Sequence, residues 1–381
     1  MHVEIVGGGP AGLYSAILIN RLTRQHSVRV CERNPRDVFG GWGIILSKAT
    51  LANMRRADPV SHGRLQHYVS DQWQHIDIIR DHDVLRVKSG EYVGVLRADF
   101  LRVLGDRCRE LGVEIAFDMP VSDISLGRLA AADLVIGADG VNSAVRTSTA
   151  LLQPTFSISQ SRYLWLGVAC EMRNLQMIFK THGEGHLVAQ AYPSGREMST
   201  FVIECTPRAW ASSDLRCLNG GDLLDTLSNL FKRELCSQRL VSTDGVRWRQ
   251  FVTVHNAIWY SGRTVFLGDA LHSVHFSIGS GTKLAVEDAM ALCESLRRFE
   301  AQGLGVVLEH FEKVRRASCD AYQSISSSSY RWCEQLHEVM PLDIVAFAEQ
   351  LLTRSGLYNR RTLALVAPEF ARELRGRKIQ N

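Results

Sequence analysis

The chain has 381 residues, 45% of them hydrophobic and 22% charged, and a formal net charge of +4. That length exceeds one small core, so two coupled domains are expected. The slight positive excess excludes the basic footprint of a nucleic-acid or membrane-surface binder and suits a phosphate-bearing cofactor or an acidic substrate better.

In chain order, Val3, Ile5 and Val6 predict a short buried strand, Ala11 to Leu22 a helix, and Val28 to Cys31 a second strand. Together they form a βαβ unit with parallel strands. From Tyr68 to Val95 the pattern alternates as in β-structure, with Ile76, Ile78 and Val87 between turn signals such as Ser89-Gly90. A helix is predicted over Asp99 to Leu111, then strands at Val113 to Phe117 and Leu134 to Ile136. Antiparallel strands are predicted at Tyr163 to Glu171, Met177 to Lys180, His186 to Tyr192 and Ser199 to Cys205. The strand Thr264 to Leu267 follows, and helices dominate from Thr282 onward, with Ser326 to Ser329 inside a helical pattern.

This order predicts an α/β protein: a discontinuous Rossmann-like nucleotide domain with an inserted mixed β-sheet domain and C-terminal helices. The nucleotide domain takes 1–72, 97–157 and 259–301, the inserted domain 73–96 and 158–258, and the helical region 302–381. The nine cysteines stand singly with no C-x-x-C pair, which fits reduced thiols and neither a disulfide framework nor a zinc site. No apolar run reaches the roughly 18 residues of a membrane span, and the glycine-broken start is no signal peptide. A cytoplasmic protein without a metal is expected.

Three motifs carry the chemistry. Gly7-Gly8-Gly9-Pro10-Ala11-Gly12 matches G-x-G-x-x-G between a strand and a helix. Gly7 allows the tight turn, Gly9 close approach to a pyrophosphate, and Gly12 close helix packing, while the helix N-terminus offers N–H groups to the anion. Glu32 closes the next strand about twenty residues on, where a carboxylate can accept from ribose hydroxyls. The second motif, Gly137-Ala138-Asp139-Gly140 with Arg146, also follows a strand; its bland reading is a turn with Asn142 or Ser143 capping a short helix. The third, Gly268-Asp269 followed by Ile278-Gly279-Ser280-Gly281-Thr282-Lys283, sets an Asp at a strand end and a glycine-rich helix start beside it.

In this order and spacing the motifs resemble those of the single-component FAD-dependent aromatic monooxygenases, the p-hydroxybenzoate hydroxylase-like family, over nearly the whole chain. Within it, Gly41-Trp42-Gly43-Ile44-Ile45-Leu46-Ser47, Arg162 to Trp165, Ala191-Tyr192 and His275 to Lys283 look like the subgroup of the violacein-pathway indole hydroxylase and the salicylyl-CoA and 2-aminobenzoyl-CoA monooxygenases. Leu352-Thr353-Arg354-Ser355 and Pro368-Glu369-Phe370 are similar to the tails of the thioester members. The chain departs from the parent family at His275 and Phe276 (usually prolines), at Lys283 (usually asparagine) and at Gly41, where a mobile-flavin arginine often stands.

The resemblance implies FAD held by Gly7, Gly9, Ala11, Gly12, Glu32, Arg33, Gly43, Arg97, Asp139, Asp269, Gly279, Gly281 and Thr282. It implies reduction by NADH or NADPH, bound transiently because only one dinucleotide fingerprint exists, and O₂ as co-substrate, with a flavin C4a-hydroperoxide hydroxylating an electron-rich ring. Substrate-pocket candidates are Leu46, Gln190, Tyr192, Phe201, His275 and Phe276. His275 and Lys283 are the catalytic candidates; His272 reads as structural. Alternation sets Gln190 and Tyr192 on one face of their strand and Ala189 and Ala191 on the other. The implied partner is a small aromatic compound, indole-derived or of aminobenzoyl or salicyl type, free or carried on CoA or a carrier protein, acting on a monomer or homodimer. The halogenase signature W-x-W-x-I-P is absent. A flavin-dependent reductase or a non-catalytic FAD-binding protein would use the same scaffold.

Overall fold

The computed structural model describes residues 1–22, 25–125, 127–149, 153–243 and 245–378. A six-stranded sheet runs in the order Tyr260–Ser261, Thr264–Phe266, Leu134–Gly137, His2–Val6, Ser27–Cys31, Glu114–Ala116. All its pairings are parallel except that of the edge hairpin at Tyr260–Ser261. Parallel strands are covered on both faces, which is why Val3, Ile5, Val30 and Ile136 are fully buried and the strands read as apolar runs. The helix Pro10–Leu22 packs against the helices Arg97–Glu110 and Gly281–Phe299. Pro10 opens it where the missing N–H costs nothing.

An eight-stranded mixed sheet runs Leu240–Val241, Arg162–Val168, Ser199–Cys205, Gly185–Pro193, Leu175–His182, Trp73–Arg80, Asp83–Leu96, Gly43–Ser47. Gly43–Ser47, although within the 1–72 stretch, pairs antiparallel with Asp83–Leu96, so this sheet reaches back to the mouth of the dinucleotide turn. Beside its strands, the 158–258 stretch holds two helices, Pro207–Ser212 and Gly220–Leu230. They cover the outer face of the sheet: Leu223, Leu227 and Phe231 bury against Leu164, Leu166, Phe201 and Ile203. A sheet apolar on both faces needs a layer on each, and the pattern inside the strands does not say which segment supplies it.

Part of the other face meets the C-terminal helices, with Phe179 edge-on to Phe347 at 4.9 Å. The rest looks across a cavity toward the first sheet. The serine run lies in the long helix Leu304–Glu334, and no described helix is long and apolar enough to cross a membrane.

Candidate cofactor and substrate site

A cavity of about 420 Å³ lies between the two sheets, and a narrower cleft of about 90 Å³ continues from it; both are lined by Gly9, Gly40 and Arg97. The narrow end is bounded by Gly8, Glu32, Asn34, Arg36 and Phe117. The wide end is bounded by Tyr163, Trp165, Gln190, Tyr192, Phe251 and Phe276. Between them stand Asp269, Gly279, Gly281 and Thr282. The result is one elongated channel with a small polar end and a large aromatic one.

Backbone geometry dictates the glycines. At Gly7, φ is 112° and a Cβ would lie 2.3 Å from the Ala138 oxygen. A Cβ on Gly12 would lie 2.0 Å from the Gly7 oxygen, which sets how closely the helix can approach the strand. Gly9, Gly140 and Gly281 instead face open space. The Glu32 carboxylate accepts from the Gly8 N–H at 2.6 Å and from the Asn34 N–H at 2.8 Å, so it braces the turn from within.

Asp269 faces the channel yet has protein packed densely around it. Burial pushes its carboxyl above the usual range, opposed by His272 and Arg97. Burial likewise lowers the Arg97 guanidinium, opposed by Asp269 and Glu32. The Gly268-Asp269 turn hangs on Asp288, whose carboxylate accepts from the Gly268 N–H at 3.0 Å, His272 Nε2 at 2.8 Å and Arg315 Nε at 2.9 Å. Burial alone would lower the His272 pKa, but Asp288 carries it up to about 10, so the ring is a cation. With Cys319 nearby, His272 and Asp288 have the residue types of a metal site. Arg315 and the protonated imidazole already meet that carboxylate's charge, and the cluster is an ion-pair network supporting a turn.

FAD fits this channel. Asp139 Oδ1 is buried without a hydrogen-bond partner, although its Oδ2 caps the short helix at the Ala144 and Val145 N–H groups. The helix Gly281–Phe299 has no side-chain cap, and its first residues line the cavity, leaving N–H groups for an electron-rich ring edge.

Ala11, Gly43, Gln190, Tyr192 and Phe276 also line the cavity. Tyr192 is committed: its hydroxyl donates to the Gly43 oxygen at 2.8 Å, while the Gly43 N–H donates to Thr200 Oγ1 at 2.7 Å. Gly41, at φ 85°, sits so close to Trp165 that a Cβ would lie 2.5 Å from its ring, which explains why no arginine stands there.

Five expectations need correction. His275 is buried behind Phe276, its ring 4.0 Å from the Phe276 ring, and burial together with Arg354 holds its pKa down to about 3; it does not line the cavity, and its imidazole stays neutral. Lys283 pairs with Glu287 at 2.8 Å and lies over the Tyr322 ring, away from the cavity wall. Phe201 points to the outer face, 5.3 Å from the Phe231 ring, because odd-numbered residues of its strand face the covering helices. Leu46 buries in the core of the first domain while Ile45, one residue earlier, meets the cavity. Arg33 is exposed and lines neither part of the channel.

Tyr163, Val202, Arg249 and Phe251 also line the cavity, although the sequence reading named none of them as a pocket residue. Alternation in Arg162–Val168 could have found Tyr163, since Leu164 and Leu166 mark the covered face.

The FAD binding domain model matches residues 127–323, just over half of the chain. The chain belongs to that family. Salicyloyl-CoA 5-hydroxylase of a Streptomyces species is 33% identical over 366 residues, covering 93% of this chain and 70% of the relative. Protodeoxyviolaceinate monooxygenase of Chromobacterium violaceum is 29% identical, covering 98% and 99%. The 3-hydroxy-4-methyl-anthranilyl-[aryl-carrier protein] 5-monooxygenase of Streptosporangium sibiricum is 31% identical, covering 96% and 97%. P. aeruginosa PqsL has the same fold, with a TM-score of 0.69 at 20% identity, covering 90% of this chain and 99% of that one. The protein is an FAD-dependent aromatic monooxygenase of the p-hydroxybenzoate hydroxylase-like group, using NAD(P)H and O₂.

Proposed function

We propose that the substrate is an electron-rich aromatic ring, indole-derived or of aminobenzoyl or salicyl type, bearing an acyl or carboxylate group and presented free or on CoA or a carrier protein. The observation behind this reading is the charge placement along the channel. Arg97 and Asp269 stand toward the cofactor end, whereas among the described residues lining the cavity Arg249 is the one charged group beside Tyr163, Phe251 and Phe276. Its backbone pairs with Tyr163 in both directions, at 2.8 and 3.0 Å. Trp248 turns outward to Trp210, which leaves Arg249 and Phe251 on the cavity side. An arginine among aromatic walls puts positive charge at this end of the cavity, which suits an acyl- or carboxylate-bearing ring better than a bare hydrocarbon.

Bound FAD supplies electron transfer from NAD(P)H and activation of O₂. The chain supplies orientation and a dry site. Phe276, Tyr163 and Trp165 hold the ring and exclude water, and N–H groups at Gly281 and Thr282 stabilise negative charge at the cofactor edge. With His275 neutral and Lys283 paired, no side-chain acid or base is assigned, and an amino- or hydroxyl-activated ring needs none. NAD(P)H binds transiently at the surface. The protein works in the cytoplasm as a monomer or homodimer, with no nucleic-acid or membrane partner.

The test is a flavin spectrum and NAD(P)H oxidation against indoles, aminobenzoates, salicylates and their CoA thioesters. A product gaining one oxygen, with NAD(P)H consumed in step, is expected. Stimulation by bare indole equal to that by the acyl-bearing compounds would overturn the substrate reading.

A further inference from the structure

Two sequence features stand outside the channel: the serine run Ser326 to Ser329 and Arg354 in the C-terminal region. Both converge on the turn Phe276–Ile278. The Arg354 Nη2 donates to the Ser277 oxygen at 3.0 Å, Nε to Ser329 Oγ at 3.0 Å, and Nη1 to the Leu351 oxygen at 2.6 Å. One residue upstream of Phe276, the His275 N–H donates to Ser326 Oγ at 2.6 Å. The helix Leu304–Glu334 and the end of the helix Ile344–Thr353 thus grip a three-residue turn from behind.

What the turn carries makes the grip matter. Phe276 faces the cavity and packs against Tyr163, ring centres 4.8 Å apart and planes tilted by 47°. Immediately after it, Gly279 adopts φ 59° and the chain enters Gly281–Phe299, whose uncapped start faces the cofactor position. A shift of this short turn therefore moves one aromatic wall and the helix start together. The arginine is part-buried, and burial lowers its pKa, opposed by Cys333 and by the buried Glu204 carboxyl. A cation whose three donor nitrogens are all used, one of them on a main-chain carbonyl two residues from the helix-entry glycine, fits a role in geometry better than one in bulk packing.

We infer that Arg354 is a positioning residue, acting through the Ser277 carbonyl to set both Phe276 and the N-terminus of the Gly281–Phe299 helix. The inference deepens the functional reading above and rests on it for the substrate half of its test.

The experiment titrates FAD into apoprotein, and then follows product formed per NAD(P)H consumed, in R354M, R354K and S329A. In R354M, FAD affinity should fall about ten-fold and the substrate KM rise several-fold. Product per NAD(P)H should fall at least three-fold, with kcat for NAD(P)H oxidation changed less. R354K, which keeps the charge but has a single donor nitrogen, should recover part of each, and S329A should show a smaller version. A drop in melting temperature with FAD affinity and coupling both unchanged overturns the inference. If R354M does not fold, R354K and S329A decide by the same readouts. Failure of the hydroxylase reading looks different: wild type shows no substrate-stimulated oxidation, and the FAD titration then judges Arg354 alone.

Discussion

The two ends of the channel are built on opposite principles. The cofactor end is made of main chain, with glycines at fixed spacing, an uncapped helix start and buried ion pairs that hold turns in place. The substrate end is made of side chains from strands and connections between Arg162 and Phe251 and from the turn at Phe276, with Arg249 as the charged group among them. Backbone sites tolerate little change because a Cβ or a lost counter-charge strikes the fold itself. Side-chain walls can be exchanged at modest cost, which lets one FAD scaffold serve many aromatic substrates.

The largest expected effect strikes the cofactor end. Asp288→Ala strands the Gly268 N–H and the His272 cation in a dry interior and leaves Arg315 only Glu287 of its two carboxylate partners, so stability should fall by about 3–5 kcal/mol, with loss of FAD, in thermal unfolding and flavin occupancy measurements. A loss below about 1 kcal/mol would break the claim that buried charge supports this end.

Next comes Glu204, on the substrate sheet. Burial raises its pKa from 4.5 to about 7, so the folded state holds a proton that the unfolded state has released. Its contribution is therefore favourable at low pH and declines as pH climbs from about 4.5 through 7. Glu204→Gln should match wild type near pH 4 and exceed it above pH 7 by up to about 3 kcal/mol. Parallel pH–stability curves for the two proteins would refute the buried, unpartnered carboxyl.

Gly41→Ala joins the two ends, because φ 85° and the Trp165 ring both resist a methyl group. A cost of about 1–3 kcal/mol with weaker FAD binding is expected from melting and flavin titration, and unchanged values would mean the loop yields freely. The smallest effect should be Lys283→Ala, within about 0.5 kcal/mol, with substrate KM and FAD affinity unaltered. A large KM change there would restore Lys283 to the site.

The contrast also explains what can be read from the sequence alone. G-x-G-x-x-G, Asp139-Gly140 and Gly268-Asp269 announce an FAD fold because each motif answers a local demand, met within a few residues, that hardly any other residue types satisfy. Strand alternation by itself likewise sets Gln190 and Tyr192 apart from Ala189 and Ala191. Tertiary structure decided the rest. It turned Leu46 and Phe201 away from the cavity, buried His275 behind Phe276, paired Lys283 with Glu287, and brought Arg249 and Arg354 to a site far from them in sequence. Period-two patterning says which residues share a face, but which face meets the cofactor depends on the layers packed against the sheet, and those come from segments whose local sequence carries no mark of where they will dock.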